Sequence, residues 1–386
     1  MNFIKTILIS FYLFSMLLSQ DIRYIDEVFD NINITEDVVY GNAPDLPFWF
    51  WFEWNTEDID LTMDIYEPAG DTISNRPVII FAHTGAFFSG HNELDDVVSL
   101  ATSAAKRGYT AVNINYRLGL NVLSTYSGER AVYRATQDGS AAIRFLREYS
   151  DIYNLDPNSI FMWGTSAGAF VGLHLSYLDE EDRPEATYGS GDDPDLGCYV
   201  CEGNNYDHSP KPNALVSCWG AIGSLDWIDE NDSIPAIMFH GSLDPIVPIN
   251  SGFPFTIDIA LPIVYGSNLI HERLEEMGIH NELHAEDGLL HEYWGTVNGN
   301  WFGGPNEYFD QIQNEAYAFL YNYLPNNNTN TTGDINLDGI VNVLDVITLV
   351  SSILNSEGFN AINDINNDDS IDILDVIQLV NLILNF

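Results

Sequence analysis

The chain has 386 residues, of which 46% are hydrophobic and 13% aromatic. That is enough apolar material for one large core plus an accessory domain, and it excludes global disorder. Its 57 acidic side chains face 13 basic ones, a formal net charge of −44. A field of that sign repels phosphate backbones and anionic bilayers, so no nucleic-acid partner and no membrane partner are expected of the mature chain.

The first residues carry Lys5, then an apolar run from Ile7 to Leu18, then Ser19 and Gln20. The run is short for a bilayer span, and polar Asp21 and Arg23 follow it. Residues 1–20 therefore read as a cleaved secretory signal peptide. The expectation is a secreted protein, extracellular or associated with the cell surface, in a compartment that permits disulfides.

Next comes an aromatic run, Phe48-Trp49-Phe50-Trp51-Phe52, followed by Glu53 and Trp54. In a strand, alternate side chains point to opposite faces, so these rings cannot all enter one core. Either the segment packs a hairpin at the domain edge, or Trp49 and Trp51 offer a platform to sugar rings, hydroxycinnamoyl groups or aromatic polyesters.

From there to about residue 324, strand and helix signals alternate. Apolar runs at 61–66, 78–82, 111–115, 160–163, 214–219 and 236–240 read as strands, several of them covered on both faces. Segments 95–107, 128–149, 167–178, 267–277 and 306–324 read as helices. The fold class is α/β, a mostly parallel sheet flanked by helices, with chemistry expected beyond the carboxyl ends of the strands.

Three places at such ends carry reactive residue types. Gly164-Thr165-Ser166-Ala167-Gly168 sits between a predicted strand and a predicted helix, the context in which a serine hydroxyl is held above the sheet on a sharp turn. A serine needs a base, and the base needs an orienting acid. Asp244 follows the strand at 236–240, and His291 lies in Gly288-Leu289-Leu290-His291-Glu292. Asp226 is a rival acid and His284 a rival base, while His240 reads as a packed strand-end residue. An oxyanion site is also needed. The glycine-containing loop from His83 to Gly90, after a strong strand, can turn backbone N–H groups toward a carbonyl, with the N–H of Ala167 as a second donor.

Residues 180–211 form an acidic, Gly- and Pro-rich insert, placed where a lid is expected. It holds Cys198 and Cys201, and Cys218 lies in the next strand. The expected arrangement is one disulfide and one remaining thiol among Cys198, Cys201 and Cys218, with the pairing left open; a bond from Cys198 or Cys201 to Cys218 would tether the insert beside the site. The rival is zinc on Cys198, Cys201, His208 and Cys218.

A polar linker at 325–332 separates this body, residues 21–324, from a tail at 333–386. The tail has nine carboxylates and no lysine or arginine, and its stretch 333–345 recurs at 363–375. Each copy has the spacing of a calcium loop. The first would ligate through Asp334, Asn336, Asp338, Asn342 and Asp345 with the Ile340 carbonyl. The second would use Asp364, Asn366, Asp368, Asp372 and Asp375 with the Ser370 carbonyl. Each leads into an apolar helical pattern, so two Ca²⁺ sites in a small all-α module are expected.

The body, over 37–324, resembles α/β-hydrolase carboxylesterases of the lipase and feruloyl-esterase-like type. The resemblance rests on Asp64-Ile65-Tyr66-Glu67-Pro68, His83 to Ala86, Asn115-Tyr116-Arg117, the Ser166 elbow and the contexts of Asp244 and His291. Where the family carries His-Gly-Gly, this chain has His83-Thr84-Gly85; the resemblance implies oxyanion donors at the N–H groups of Thr84, Gly85 and Ala86, with the Thr84 hydroxyl able to help orient the oxyanion. The resemblance implies a serine esterase that uses a Ser166–His291–Asp244 triad, needs no cofactor for catalysis, and acts on acetyl or feruloyl esters of plant polymers or similar polyesters. The tail resembles a type I dockerin, which implies a cohesin-like or other cell-surface protein partner. The apolar pairs Val343-Leu344 and Ile373-Leu374 stand where that family carries polar recognition residues. The competing reading is a non-catalytic binding or surface-assembly protein on a hydrolase scaffold.

Overall fold

Strands whose residues are apolar throughout bury both faces, and here they make the middle of the structure. The computed structural model describes residues 22–47, 53–124, 126–256, 262–297 and 300–325, and in the tail 333, 335, 341, 343–354, 363–366, 368 and 370–384. The signal segment, Trp49 and Trp51, and linker residues 326–332 lie outside them. The chain divides into two compact units, Met1–Phe319 and Leu320–Phe386.

The first unit is built on an eight-stranded sheet. Its strands are β1 (Ile32–Asp45), β2 (Glu57–Pro68), β3 (Arg76–Ala82), β4 (Thr110–Ile114), β5 (Leu155–Thr165), β6 (Ala214–Cys218), β7 (Ala236–Gly241) and β8 (Asn281–Glu286). They lie in the order β1-β2-β4-β3-β5-β6-β7-β8. Only β2 runs against its neighbours, and every pair from β4 to β8 is parallel. Every residue of β3, β4, β6 and β7 is buried, which matches their mostly apolar character, with Arg76, Thr110, Asn113, Ser217 and His240 as the buried polar exceptions. The edge strand β1 has no such signature. Its residues are mostly exposed, acidic or polar in part, and its register slips between Thr35 and Val38 and again between Val39 and Gly41. Charge and bulges of this kind protect an edge from further pairing.

Helices cover the sheet. They are α1 (Asp95–Lys106), α2 (Ser127–Glu148), α3 (Ala167–Tyr177), α4 (Ser267–Met277) and α5 (Glu307–Tyr321). Helix α1 packs on β2, β3 and β4, while α3 lies on β3, β5 and β6 with α2 against it. All eleven residues of α3 are buried. Helix α2 carries Arg130, Tyr133, Gln137, Arg144 and Arg147, a spacing that sets them along one side.

The predicted insert runs along that side of α2. Arg130 donates to the carbonyls of Ala186 (2.8 Å) and Pro194 (2.7 Å), and Tyr133 to Gly197 (2.9 Å). Gln137 donates to Leu196 (2.6 Å), Arg144 to Glu202 and Asn204 (both 2.7 Å), and Arg147 to Lys211 (3.0 Å). Ordered side chains thus satisfy the carbonyls of a segment with no regular structure of its own. The segment is a strap on α2 rather than a cover over the site. Only Pro184 of it reaches the cavity described below.

In the second unit, α6 (Val343–Leu354) and α7 (Ile373–Leu384) pack around Ile335, Leu349, Ile365, Val376 and Leu379. The thirty-residue repeat is visible in this core, where Ile335 matches Ile365 and Leu349 matches Leu379. It also appears on the outside. Val343, Ile347 and Leu354 are exposed on α6, and Ile373, Ile377 and Leu384 are exposed at the matching positions of α7.

Candidate active site

Parallel strands put their carboxyl ends at one rim. The loops after β3, β5, β7 and β8 therefore converge, although they lie far apart in sequence. Ser166 stands between β5 and α3 with φ 51° and ψ −113°, a strained conformation for a residue with a side chain. The turn closes only because its flanks are glycine. A Cβ on Gly164 would fall 2.1 Å from the Gly168 carbonyl oxygen, and one on Gly168 would fall 2.0 Å from that of Ala82. The Ser166 N–H is held by the Cys218 carbonyl at 3.0 Å.

Ser166 Oγ lies 2.9 Å from His291 Nε2, and His291 Nδ1 lies 2.6 Å from Asp244 Oδ2. Because Asp244 accepts at Nδ1, that nitrogen carries the proton, and Nε2 offers its lone pair to the serine hydroxyl. The Asp244 carboxylate is held on its other oxygen by the N–H groups of Ile246 (2.8 Å) and Val247 (2.9 Å). His240 Nε2 lies 3.3 Å from Oδ2 and 3.0 Å from the Val247 carbonyl. Facing two acceptors, Nε2 is the protonated nitrogen, and the Ser267 hydroxyl donates to Nδ1 at 2.8 Å. His240, read from sequence as packing, thus also braces the acid. Burial opposes ionisation of Asp244, but hydrogen bonds from His240 and His291 outweigh it and hold the carboxyl well below the usual carboxylate range. Burial also lowers the basicity of His291, with Asp244 working against it, and the net shift is downward.

The rivals are placed elsewhere. Asp226 is exposed in a short helical turn where its N–H meets Ser224 Oγ. His284 stacks on Phe239 and faces Glu315 at 3.2 Å and Glu282 at 3.6 Å.

The loop after β3 is pinned from below. The His83 carbonyl accepts from Tyr116 Oη (2.6 Å) and from the Gly168 N–H (3.1 Å), and its ring stacks on Tyr116. Gly85, Ala86 and Phe87 follow with φ of 130°, 55° and 56°. Of the four predicted oxyanion residues, Ala86 and Ala167 line the cavity beside Ser166. Neither of their N–H groups meets an acceptor among the described residues. Gly85 instead turns its carbonyl to the N–H groups of Phe88 and Ser89, both at 3.0 Å. The Thr84 hydroxyl does not face the cavity. It donates to Glu292 Oε1, so its expected part in orienting the oxyanion is corrected.

A cleft opens from Ser166, walled by Phe87, Leu120, Phe170, Trp227 and Val247. Glu129 and His174 interrupt this apolar wall. His174 donates from Nδ1 to the Phe170 carbonyl at 2.7 Å, and burial lowers its pKa to about 4. It is therefore neutral at ordinary pH.

Cys198 and Cys201 are bonded to each other, with Cα atoms 5.6 Å apart, and Cys218 is a buried thiol in β6. A two-residue spacer on a tight turn brings the first pair together, whereas the strand position of Cys218 turns it into the sheet, where burial pushes its pKa far up. The bond therefore does not tether the insert to β6. His208 Nε2 lies 2.9 Å from Glu148, which leaves the zinc alternative without its fourth ligand.

In the tail, Asp334, Asn336, Asp338, Ile340 and Asn342 lie outside the described residues. Of the first loop's candidates, Asp345 is buried and accepts the Ile335 N–H at 2.7 Å. In the second, Asp375 accepts the N–H groups of Asn366 (3.2 Å) and Asp372 (2.8 Å). Asp364 accepts from the Asp368 N–H (3.1 Å), Asp368 from Ser370 (3.0 Å), and Asp372 from Leu374 (2.7 Å). These carboxylates are turned to backbone N–H groups. Among the described residues no group of three or more His, Cys, Asp or Glu is gathered to hold a metal ion.

Residues 63–197 match the BD-FAE family. Juvenile hormone esterase of Tribolium castaneum is 30% identical over 117 residues, 30% of this chain and 20% of its own length. Carboxylesterase 3B of Mus musculus is 32% identical over 113 residues, 29% of this chain and 19% of its own length. The chain thus spans about a fifth of the curated relatives it matches. Among solved structures, Thermogutta terrifontis esterase 2 phosphorylated by paraoxon is 20% identical with a TM-score of 0.51, covering 76% of this chain and 94% of its own. That likeness supports an α/β-hydrolase fold for the body.

Proposed function

We propose that the protein is a serine carboxylic-ester hydrolase. The observation that carries this reading is an imidazole held on one side by a buried carboxylate and on the other by a strained, cavity-facing serine. The resemblance of part of the chain to carboxylesterases supports it.

In the first half-reaction, His291 Nε2 takes the Ser166 proton as Oγ attacks the ester carbonyl. Asp244 steadies the imidazolium that forms. Negative charge moves to the carbonyl oxygen, where the N–H groups of Ala86 and Ala167 receive it. The start of α3 adds the favourable end of a helix dipole. The tetrahedral adduct collapses, His291 gives its proton to the departing alcohol, and an acyl-serine remains. In the second half, His291 deprotonates water, which attacks the acyl carbon and frees the acid and Ser166. No cofactor is required by these steps.

The apolar wall of Phe87, Leu120, Phe170, Trp227 and Val247 beside Ser166 suits an aromatic or extended acyl group better than acetyl alone. Within the class, feruloyl-type esters of plant polymers and synthetic aromatic polyesters are favoured. Residues 1–20 fit export to the extracellular space, and the tail is assigned as a dockerin-like module. Its matched apolar stripes on α6 and α7 suit a cohesin-like or other cell-surface protein. Calcium in its two proposed loops would offset carboxylates that have no basic partner in the tail.

Hydrolysis of acetyl, feruloyl, longer acyl and polyester substrates by the purified protein tests the reading. Turnover greatest with the aromatic or extended acyl groups is expected. Absence of turnover on every ester would end it.

A further inference from the structure

Glu292, the neighbour of His291, has no part in the steps above, yet it is 2% exposed and held at φ 49°. Its Oε1 accepts the Thr84 hydroxyl, and the same oxygen lies 4.0 Å from His291 Nε2. Its Oε2 is buried without a hydrogen-bond partner among the described residues. The bond to Thr84 joins two segments that arrive separately at the rim. One is the loop after β8 that carries the base. The other is the loop after β3 that carries Ala86, and β3 and β8 are not neighbours in the sheet. Resting on the serine-esterase reading, we propose that Glu292 is a positioning residue, whose carboxyl ties the base loop to the oxyanion loop through Thr84 and holds the two halves of the site in one register.

The tie works in the acid form. The groups facing Glu292 are Thr84 and His291, with Asp96 on α1, Asp244 after β7 and the Cys218 thiol of β6 nearby. None of them is a lysine or arginine. Burial raises the pKa of Glu292 to about 8, the Thr84 bond offsets part of this, and the charges of Asp96 and Asp244 add to it. With Thr84 donating to Oε1, the proton rests on Oε2. Loss of that proton would set a full negative charge behind the loop that must receive the substrate oxyanion, and the two charges repel in a poorly solvated site. The fold would lose stability in step, because a carboxyl whose folded pKa is raised is worth most below its ordinary value and loses that worth as pH climbs through about 8.

Glu292→Leu, Glu292→Gln, Thr84→Val and the double variant Thr84→Val/Glu292→Leu decide it, with a short nitrophenyl ester as substrate. Glu292→Leu should lower kcat on the order of 10²-fold while KM changes by less than about twofold, as expected when distant support misplaces reacting groups. Glu292→Gln keeps an acceptor and cannot ionise, so it should recover most of that loss. It should also abolish a fall in activity centred near the raised Glu292 pKa, while leaving the acid limb set by His291. Equal kcat in wild type and Glu292→Leu would overturn the proposal, as would an unchanged alkaline limb in Glu292→Gln. If the wild type turned over no ester, the esterase reading would fail first, and thermal unfolding would then decide the tie. A single shared loss in Thr84→Val, Glu292→Leu and the double variant supports the tie, and additive losses overturn it.

Discussion

The body and the tail handle carboxylates in opposite ways. In the body the acid at the rim is buried among donors: Asp244 has two imidazoles and two backbone N–H groups. Elsewhere Asp138 pairs with Arg117 at 2.7 Å, and Glu53 is clasped by Arg130 and Arg134. In the tail there is no basic residue at all, and the described carboxylates rest on backbone N–H groups around a core of five buried side chains. At the rim the body supplies imidazole and backbone donors to its carboxylate from its own sequence. The tail has no basic side chain to offer, and its described carboxylates lean on backbone N–H groups alone or with side-chain amides.

The sharpest way to break this contrast lies in the body. Ser166→Ala or Asp244→Asn should lower kcat by about 10⁴, because the first removes the attacking atom and the second presents the wrong imidazole tautomer. Steady-state kinetics would detect either, and near-normal turnover would relocate the chemistry. Next in size is the response to chelation. On the proposal that the tail's two loops hold calcium, EDTA should melt tail helicity, read by circular dichroism, while ester hydrolysis changes by less than about twofold, since the proposed triad uses no cation. Loss of both together would erase the distinction.

A smaller effect is expected at His240. Its replacement by Leu removes one of four donors to Asp244, a hydrogen bond to a charged group worth about 1.5–3 kcal/mol. The acid limb of the pH profile would shift with it. In the wild type that limb lies below the ordinary imidazole value, because burial lowers the His291 pKa and the base stays neutral further into acid. The smallest effect belongs to Cys198→Ser. It opens a short loop on a strap that α2 already holds by many hydrogen bonds, so it should leave kcat within about twofold and lower Tm slightly.

Legibility in the sequence followed the same physics. The buried parallel strands β3 to β7 are readable because a strand covered on both faces is mostly apolar. β1 is not, because an exposed edge is polar and bulged. Ser166 and Asp244 can be picked because each follows an apolar strand in a recognisable turn, whereas His291 follows the polar strand β8 and is marked only by its Gly288-Leu289-Leu290-His291 context. The direction of a side chain was not readable: the Thr84 hydroxyl points to Glu292, and nothing in the order of residues marks a threonine as bonded to a glutamate over two hundred positions away. The cysteine pairing stays open in the sequence because the strand position of Cys218 says where it lies but not which way its thiol faces. The strap was mistaken for a lid because acidic, glycine-rich sequence does not reveal that a helix of arginines waits for its carbonyls.

The account rests on Ser166 being made nucleophilic by His291. Mass spectrometry of the protein after treatment with a serine-directed phosphonate tests this most directly. One adduct on Ser166, formed rapidly in the wild type and at least about 10³-fold more slowly in His291→Ala, is the predicted result. Labelling at another residue, or labelling of Ser166 at the same rate without His291, would contradict it.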